Sequence, residues 1–227
     1  MPTSASSLRG TKHAPWLVWA ATALLALIGV AAAARRFVVL VDPQAPNPRF
    51  TAATALDASF AAHRSLTLLH ILPASVFMVL MPFQFVKRIR TRHVAVHRWS
   101  GRLLLLLGAV IGASALIMSF TMNIGGVSET AATTLFGILF LLFLGLGFLN
   151  IRRGKLDLHR QWMIRAYGVA LGVATTRPII GAFFAAKRQS PHEFFGAAFW
   201  LGFTVTLMAA EAWIHYTEPQ SFAHGFN

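Results

Sequence analysis

Five histidines are the residues of this chain whose type and spacing are best suited to chemistry. His63 and His70 lie seven residues apart at the start of one apolar segment, and His93 and His97 lie four apart before another. His159 begins a third such segment. Histidine can ligate a metal or haem iron, and it can transfer a proton near neutral pH. Because ionisable groups in or beside a membrane cost free energy, they usually serve a function.

Three interpretations are open for the histidines of the basic loops. In the first, His97 and His159 each provide one axial ligand to haem iron. In the second, a non-haem zinc or iron ion is bound, because histidines four residues apart share one face of a helix. The ligands of that metal would be His93, His97, His159 and His215, with Glu211 four residues before the last of them.

The third interpretation is anchoring at the membrane surface. Histidine and arginine side chains would contact phospholipid headgroups, with an aromatic belt beside them. The belt would consist of Trp99, Trp162 and Trp213. Anchoring explains the tryptophans and arginines well and the paired histidines less well.

A second polar group is predicted deeper in the membrane, at His70 and Arg177. A helix rises about 1.5 Å per residue, which places His70 about 10 Å inward from His63. By the same count, Arg177 lies about 20 Å along its span from Trp162, in a hydrocarbon core about 30 Å thick. Both residues then fall in the outer half of the membrane, where they could hold a haem propionate, a quinone carbonyl or an anionic substrate. Alternatively, Arg177 extends to the interface or bonds backbone carbonyls that are freed by Pro178.

The composition indicates the scaffold that must position these groups. Of the 227 residues, 56% are hydrophobic and only 12% are charged, whereas a soluble domain has about 25% charged residues. The chain contains no cysteine. This excludes disulfides, thiolate metal sites, iron–sulfur clusters and thioether-linked haem. The sequence therefore predicts an all-α polytopic transmembrane helical bundle.

Six apolar runs reach or approach the length of about 20 residues that crosses a bilayer. The predicted spans are Trp16–Ala34, His63–Val86, Leu103–Thr121, Thr133–Leu149, Trp162–Ala185 and Phe194–Ile214. The first span could be a cleaved signal peptide. Its apolar stretch is longer than a usual signal-peptide core, which favours an uncleaved anchor.

The distribution of basic residues predicts the orientation. Most of the 20 Lys and Arg residues fall in the N-terminal tail and in the loops after the second and fourth spans. By the positive-inside rule these parts are cytoplasmic, so both termini are expected in the cytoplasm and the protein in a bacterial inner membrane. The basic loops would face anionic lipid headgroups. No separate basic domain is present to hold a duplex, so nucleic acid is not an expected partner.

The chain is predicted to form one integral membrane domain over residues 1–227. Its parts would be a cytoplasmic tail (1–15), a periplasmic loop (35–62) and a core (63–215). Within the loop, Val41–Ser59 is expected to be irregular because prolines interrupt it. These are Pro43, Pro46 and Pro48.

Two motifs resemble the bacterial DUF2306 family of predicted membrane proteins. One is His97-Arg98-Trp99-Ser100-Gly101-Arg102, which leads into a leucine-rich span. The other is His159-Arg160-Gln161-Trp162-Met163-Ile164-Arg165, which leads into the span that carries Arg177. With His63 and His70, the resemblance covers residues 60–215. It implies a membrane topology and no particular activity.

A looser similarity is to haem proteins of the cytochrome b561 and ferric-reductase types. In those proteins, histidines on the helices of a four-helix core ligate b-type haem. His97 and His159 stand at the starts of the third and fifth spans and match one such pair. Because the fourth span contains no histidine, His70 lacks the corresponding partner. The resemblance therefore implies a single haem at most.

The residues and the resemblance together support three functional hypotheses. The leading one is a small inner-membrane redox protein that binds b-type haem through His97 and His159 and exchanges electrons with quinone. The second is a non-catalytic or transporter-like subunit of a membrane complex or homo-oligomer, assembled through small-residue helix faces. The third is a metal-dependent membrane enzyme built on the four histidines named above. The small-residue faces are formed by Gly108 with Gly112 and by Gly168 with Gly172.

Overall fold

The computed structural model describes residues 14–42, 51–122, 124–186 and 191–217, and these residues form eight helices. Six of the helices are long and apolar enough to cross a membrane. The helices are α1 (Ala14–Val41), α2 (Thr51–Ala62), α3 (Arg64–Gln84), α4 (Lys87–Arg92), α5 (Val94–Thr121), α6 (Gly126–Arg152), α7 (Leu156–Ala186) and α8 (Pro191–Thr217). The prediction of an all-helical protein with six spans is confirmed.

Most of the spanning helices extend beyond the apolar runs that predicted them. α5 begins nine residues before the predicted start at Leu103, and α7 begins six residues before Trp162. Hydrophobicity underestimates helix length here because Arg and Lys can bury their methylene stems while their charged heads reach the interface. As a result, His97 and His159 lie in the first turns of α5 and α7 and not in loops.

The segment between the first two spans differs from its prediction. Residues 51–62 form helix α2, so the expectation of an irregular stretch over Val41–Ser59 was wrong for this part. All three prolines precede Thr51, and the alanine-rich sequence after them favours helix. The prolines themselves lie outside the described residues. α1 also runs on through Arg35 and Arg36, which the sequence had assigned to the loop.

The spanning helices alternate in direction, and close glycine contacts join them. A Cβ atom added at Gly108 or Gly112 of α5 would collide with leucine side chains of α6. On α7, a Cβ at Gly168 would lie 2.8 Å from Ala210, and one at Gly172 would lie 2.9 Å from the Cα of Phe203, both on α8. Small residues permit such close approach of helix backbones. The two glycine faces are therefore used within the chain, which removes the exposed assembly faces that the second hypothesis required.

The helices α3, α5, α6 and α7 form a four-helix arrangement around a shared apolar core. α5 packs against α3 and α6, and α7 packs against α6, whereas α5 and α7 have very little direct contact. α5 and α7 thus lie diagonally across the group. α8 packs against α7 and α6, and α1 packs against α3 and α7 from outside. The core contains the aromatic pair Phe77 and Phe140, whose ring centroids are 5.7 Å apart.

Candidate functional site

Two polar groups lie at opposite ends of the bundle. We call the end formed by the start of α5, the start of α7 and the end of α6 the basic end, because it carries α4 and both basic loops. The opposite end, where α5 and α7 finish and α6 begins, is called the far end. His97 and His159 lie at the basic end, and His70 and Arg177 lie toward the far end.

At the basic end, the ring of His159 is held by one hydrogen bond. Its Nδ1 lies 2.8 Å from the carbonyl oxygen of Gly147 on α6. Because a carbonyl can only accept, Nδ1 carries a proton, and in the neutral ring Nε2 is then the nitrogen with the lone pair. Histidines that ligate metals commonly donate their other ring N–H to a carbonyl in this way, which fixes the ring orientation and the tautomer.

His97 approaches the same region from the diagonal helix. It is half-buried, and it lies within electrostatic range of His159, Arg90 and Arg98. Its Nδ1 atom is buried and has no hydrogen-bond partner among the described residues. A buried polar atom without a partner is uncommon in native proteins and points to a missing water, ion or ligand.

The hydroxyl of Tyr167 is a second buried polar atom without a described partner. The end of α3 contacts both helices that carry these atoms. Gln84 donates a hydrogen bond of 2.7 Å to Ser100, one turn from His97, while the ring of Phe85 lies 6.2 Å from that of Tyr167. Tyr167 itself lies eight residues, or about 12 Å, further along α7 than His159, within the apolar core.

The other groups predicted at this end are placed differently. His93 is exposed at the cap of α5, and His215 is exposed near the end of α8. Glu211 accepts two hydrogen bonds from Arg165, at 2.6 and 2.9 Å. Within the described parts of the chain, no three His, Asp or Glu side chains are placed to hold one metal ion. The structure places His97 and His159 within electrostatic range of each other, and the four-histidine metal site stays a prediction.

Toward the far end, His70 and Arg177 lie within electrostatic range of each other. His70 Nδ1 is 3.0 Å from the hydroxyl of Ser114, which itself donates to the carbonyl of Val110. The Ser114 hydroxyl then accepts from His70, so Nδ1 of His70 is protonated in this arrangement. Arg177 also lies within range of Arg35, Arg36 and Glu129.

The arginines at the end of α1 are tied to α2. Arg35 donates to both carboxylate oxygens of Asp57, at 3.2 and 2.9 Å, and Arg36 forms an ion pair with the same carboxylate. The Arg36 guanidinium also lies 3.9 Å from the ring centroid of Phe60. Its side chain is only 11% exposed, compared with 56% for Arg35. α2 therefore closes over Arg36 and keeps it from water.

The pairing predicts how acid affects the contact between α1 and α2. Burial alone would raise the pKa of Asp57, but hydrogen bonds and charges from Arg35 and Arg36 outweigh burial and lower it below its ordinary value of 3.8. The native state thus binds the proton more weakly than the unfolded state. The stability from this pair is present above about pH 4 and is lost as the pH falls through the native pKa.

We therefore expect Asp57→Asn to lower the melting temperature at pH 7, and the difference from wild type to shrink as the pH falls from 5 toward 3. Thermal unfolding in detergent at a series of pH values measures both effects. A difference that stayed constant over this range would contradict the assignment, because it would show that the charge of Asp57 is not the stabilising feature.

Several residues of these two groups were not found from the sequence. Nothing in the spacing of residues along the sequence marks Tyr167, Ser114 or Gln84. Ser114 and Gln84 form hydrogen bonds with residues of other helices, and the ring of Tyr167 contacts a residue that follows another helix. Arg36 was counted only for topology, since the apolar run ends before it. Its contacts with Phe60 and Asp57 depend on α2, which the sequence did not predict to be helical.

A family model described as "Predicted membrane protein (DUF2306)" matches residues 67–214. The chain therefore belongs to this family, and the resemblance of the two motifs is confirmed. The match covers α5 to α7 in full and most of α3 and α8, but it excludes α1 and α2. No curated protein and no solved structure was found to match the chain.

Proposed function

We propose that this DUF2306 protein is a membrane redox protein that binds one b-type haem at the basic end, with His97 and His159 as axial ligands. The observation that carries the proposal is that two imidazoles from different helices lie within electrostatic range of each other at one end of the bundle. One ring has its tautomer set by Gly147, and the other has a buried nitrogen without a described partner. Cofactor sites in helical bundles are commonly built from such side chains on facing helices.

The donor chemistry of the site fits a haem. Since the chain has no cysteine, a haem must be held non-covalently, and bis-histidine ligation is available at this position. When bound, haem iron supplies one-electron transfer.

Apolar packing begins on the interior side of the two histidines. The ring of Trp162, three residues after His159, stacks on Phe143 with centroids 5.5 Å apart, and Leu104, seven residues after His97, is 2% exposed. An apolar shell of this kind limits solvent access and tunes the potential of a redox centre. Quinone as the exchange partner remains a prediction, for which lipid-facing helices provide access.

The experiment that tests the proposal is an optical spectrum of the purified full-length protein, produced with added haem precursor. We expect a Soret band in the oxidised protein and a sharp α-band after reduction with dithionite. A flat visible spectrum would overturn the redox proposal. Zinc or iron bound in one-to-one amount without a Soret band would favour the histidine metal site instead.

A further inference from the structure

We infer that a groove between α6 and α8 binds the ring of a membrane quinol, and that Glu211 accepts a hydrogen bond from a hydroxyl of that quinol. The inference deepens the proposed function and rests on it for the role of the ligand, because a quinol is the partner with which a haem protein of this kind would exchange electrons. Three features support it: the groove itself, the ion pair at one end of it, and the contacts that join this pair to the helix of His159.

The groove follows from how α6 and α8 pack around α7. Near the middle of α6 the two helices meet directly, and the ring of Phe136 stacks on that of Phe203 with centroids 4.8 Å apart. Nearer the basic end, Phe143 of α6 stacks on Trp162 of α7, and α8 has its most extensive packing with α7 as well. A groove of about 410 Å³ lies between α6 and α8. This volume falls within the range of about 300–1,000 Å³ that is usual for small-molecule sites.

The residues that line the groove place it on the lipid-facing surface of the bundle. Four of them share one face of α8, since they are spaced by three, four and seven residues, and the fifth belongs to α6. They are Thr204, Leu207, Met208, Glu211 and Phe136. Thr204 is exposed, and Met208 is 66% exposed. A ligand dissolved in the membrane can therefore enter the groove from the side.

Glu211 is the charged residue of this lining. Its two carboxylate oxygens accept hydrogen bonds of 2.6 and 2.9 Å from Arg165 of α7. Glu211 lies six residues before the end of α8, or about 9 Å from it, so the ion pair lies within the spanning part of the helix. Each carboxylate oxygen keeps a second lone pair that can accept another hydrogen bond. The side chain of Glu211 is 37% exposed and that of Arg165 is 18% exposed, so the acceptor is the more accessible partner.

The ion pair determines which head group fits. Because Arg165 balances the charge of Glu211, the pair has no net charge that would attract an anionic lipid headgroup. The accessible carboxylate favours an uncharged hydrogen-bond donor, carried on an apolar body that the rest of the lining can contact. A quinol has hydroxyl donors on an aromatic ring, and Phe136 offers an aromatic surface for such a ring. Ionisable residues within a membrane span are costly and usually mark a functional site.

Contacts along α7 connect the ion pair to the proposed haem ligand. The guanidinium carbon of Arg165 lies 4.6 Å from the ring centroid of Trp162. Trp162 follows His159 by three residues, and Arg165 follows it by six, or about 9 Å along the helix. The groove and the histidine are therefore within two turns of the same helix, with an aromatic ring between them. This is the placement expected for a ligand that exchanges electrons with a haem at His159.

The test uses the full-length protein in neutral detergent without oxygen and follows the melting temperature as a probe is added, because a ligand that binds the native state raises it. The probes are decylubiquinol and the dimethyl ether of the same quinol, which keeps the ring and the tail but lacks both hydroxyl donors. Met208→Trp fills the groove without removing the ion pair, and Glu211→Gln removes the charge of the acceptor. The matched control is Val205→Trp, at an exposed position of α8 outside the lining.

We expect decylubiquinol to stabilise the wild type and Val205→Trp at similar concentrations. Met208→Trp and Glu211→Gln should each require at least about ten-fold more, because the first variant blocks the ring and the second weakens a hydrogen bond to a charged group. The dimethyl ether should have little effect on any of them. If the ether stabilised the wild type as well as the quinol, or if neither Met208→Trp nor Glu211→Gln changed the required concentration, the inference would be wrong.

Glu211→Gln leaves Arg165 without its ionic partner, so this variant can fail to fold. Met208→Trp and the comparison of quinol with ether then decide the matter, since both keep the ion pair. The result is also separable from that of the proposed haem. Stabilisation by decylubiquinol in a protein with a flat visible spectrum would support the groove and overturn the haem, whereas a Soret band without stabilisation would overturn the groove alone.

Discussion

Gly172→Val is expected to separate α7 from α8 and to leave little folded protein. A Cβ at this position would lie 2.9 Å from the Cα of Phe203 and 3.1 Å from the hydroxyl oxygen of Thr206. The Phe203 contact is with backbone and cannot be relieved by turning a side chain, so the helices themselves must move apart. Overpacking of this kind costs about 1–3 kcal/mol, and valine adds two further methyl groups beyond the Cβ.

The melting temperature and the monodisperse fraction after detergent extraction measure this effect. Gly181→Val is the matched control, because it makes the same substitution in the same helix where a Cβ would meet no atom within 4 Å. We expect the control to behave nearly like wild type. If both variants lost the same stability, the cause would be the β-branched residue in the helix and not the contact between α7 and α8.

His159→Ala and His97→Ala are each expected to remove most of the haem from the purified protein. Each substitution deletes one of the two proposed axial ligands, and His159→Ala also removes the side-chain hydrogen bond to the carbonyl of Gly147. The measurement is the Soret absorbance divided by the protein concentration. Replacing a residue that only supports a metal ligand lowers metal affinity by about 10–100-fold, so loss of a ligand itself should lower this ratio by about ten-fold or more.

The control for these variants is His93→Ala. His93 lies one turn from His97, is exposed, and makes no side-chain hydrogen bond as the cap of α5. It should keep the wild-type haem content. Added imidazole should restore part of the Soret band to the two ligand variants, because it can take the place of the deleted ring. Equal loss in all three variants would instead show that histidines at this end serve anchoring or folding.

The amino-acid sequence by itself determined that the chain crosses the membrane with six helices. The reason is local: each span needs a run of apolar residues of sufficient length, and that property can be counted along the chain. The two histidine motifs were likewise visible because each is a short contiguous string. The ends of the helices were less accurate, since Arg and His near the interface interrupt an apolar run without ending a helix, as at the start of α5.

The tertiary structure decided which of these residues meet. His97 and His159 come within electrostatic range of each other at one end of the bundle because α5 and α7 both begin there, whereas His93 and His215 are exposed. The glycine pairs proved to be internal contacts because their partners, on α6 and α8, are fixed only by packing. Contacts such as His70 with Ser114 join residues 44 positions apart. The periodicity of residues along one helix cannot predict such a contact, because the contact depends on how neighbouring helices pack together.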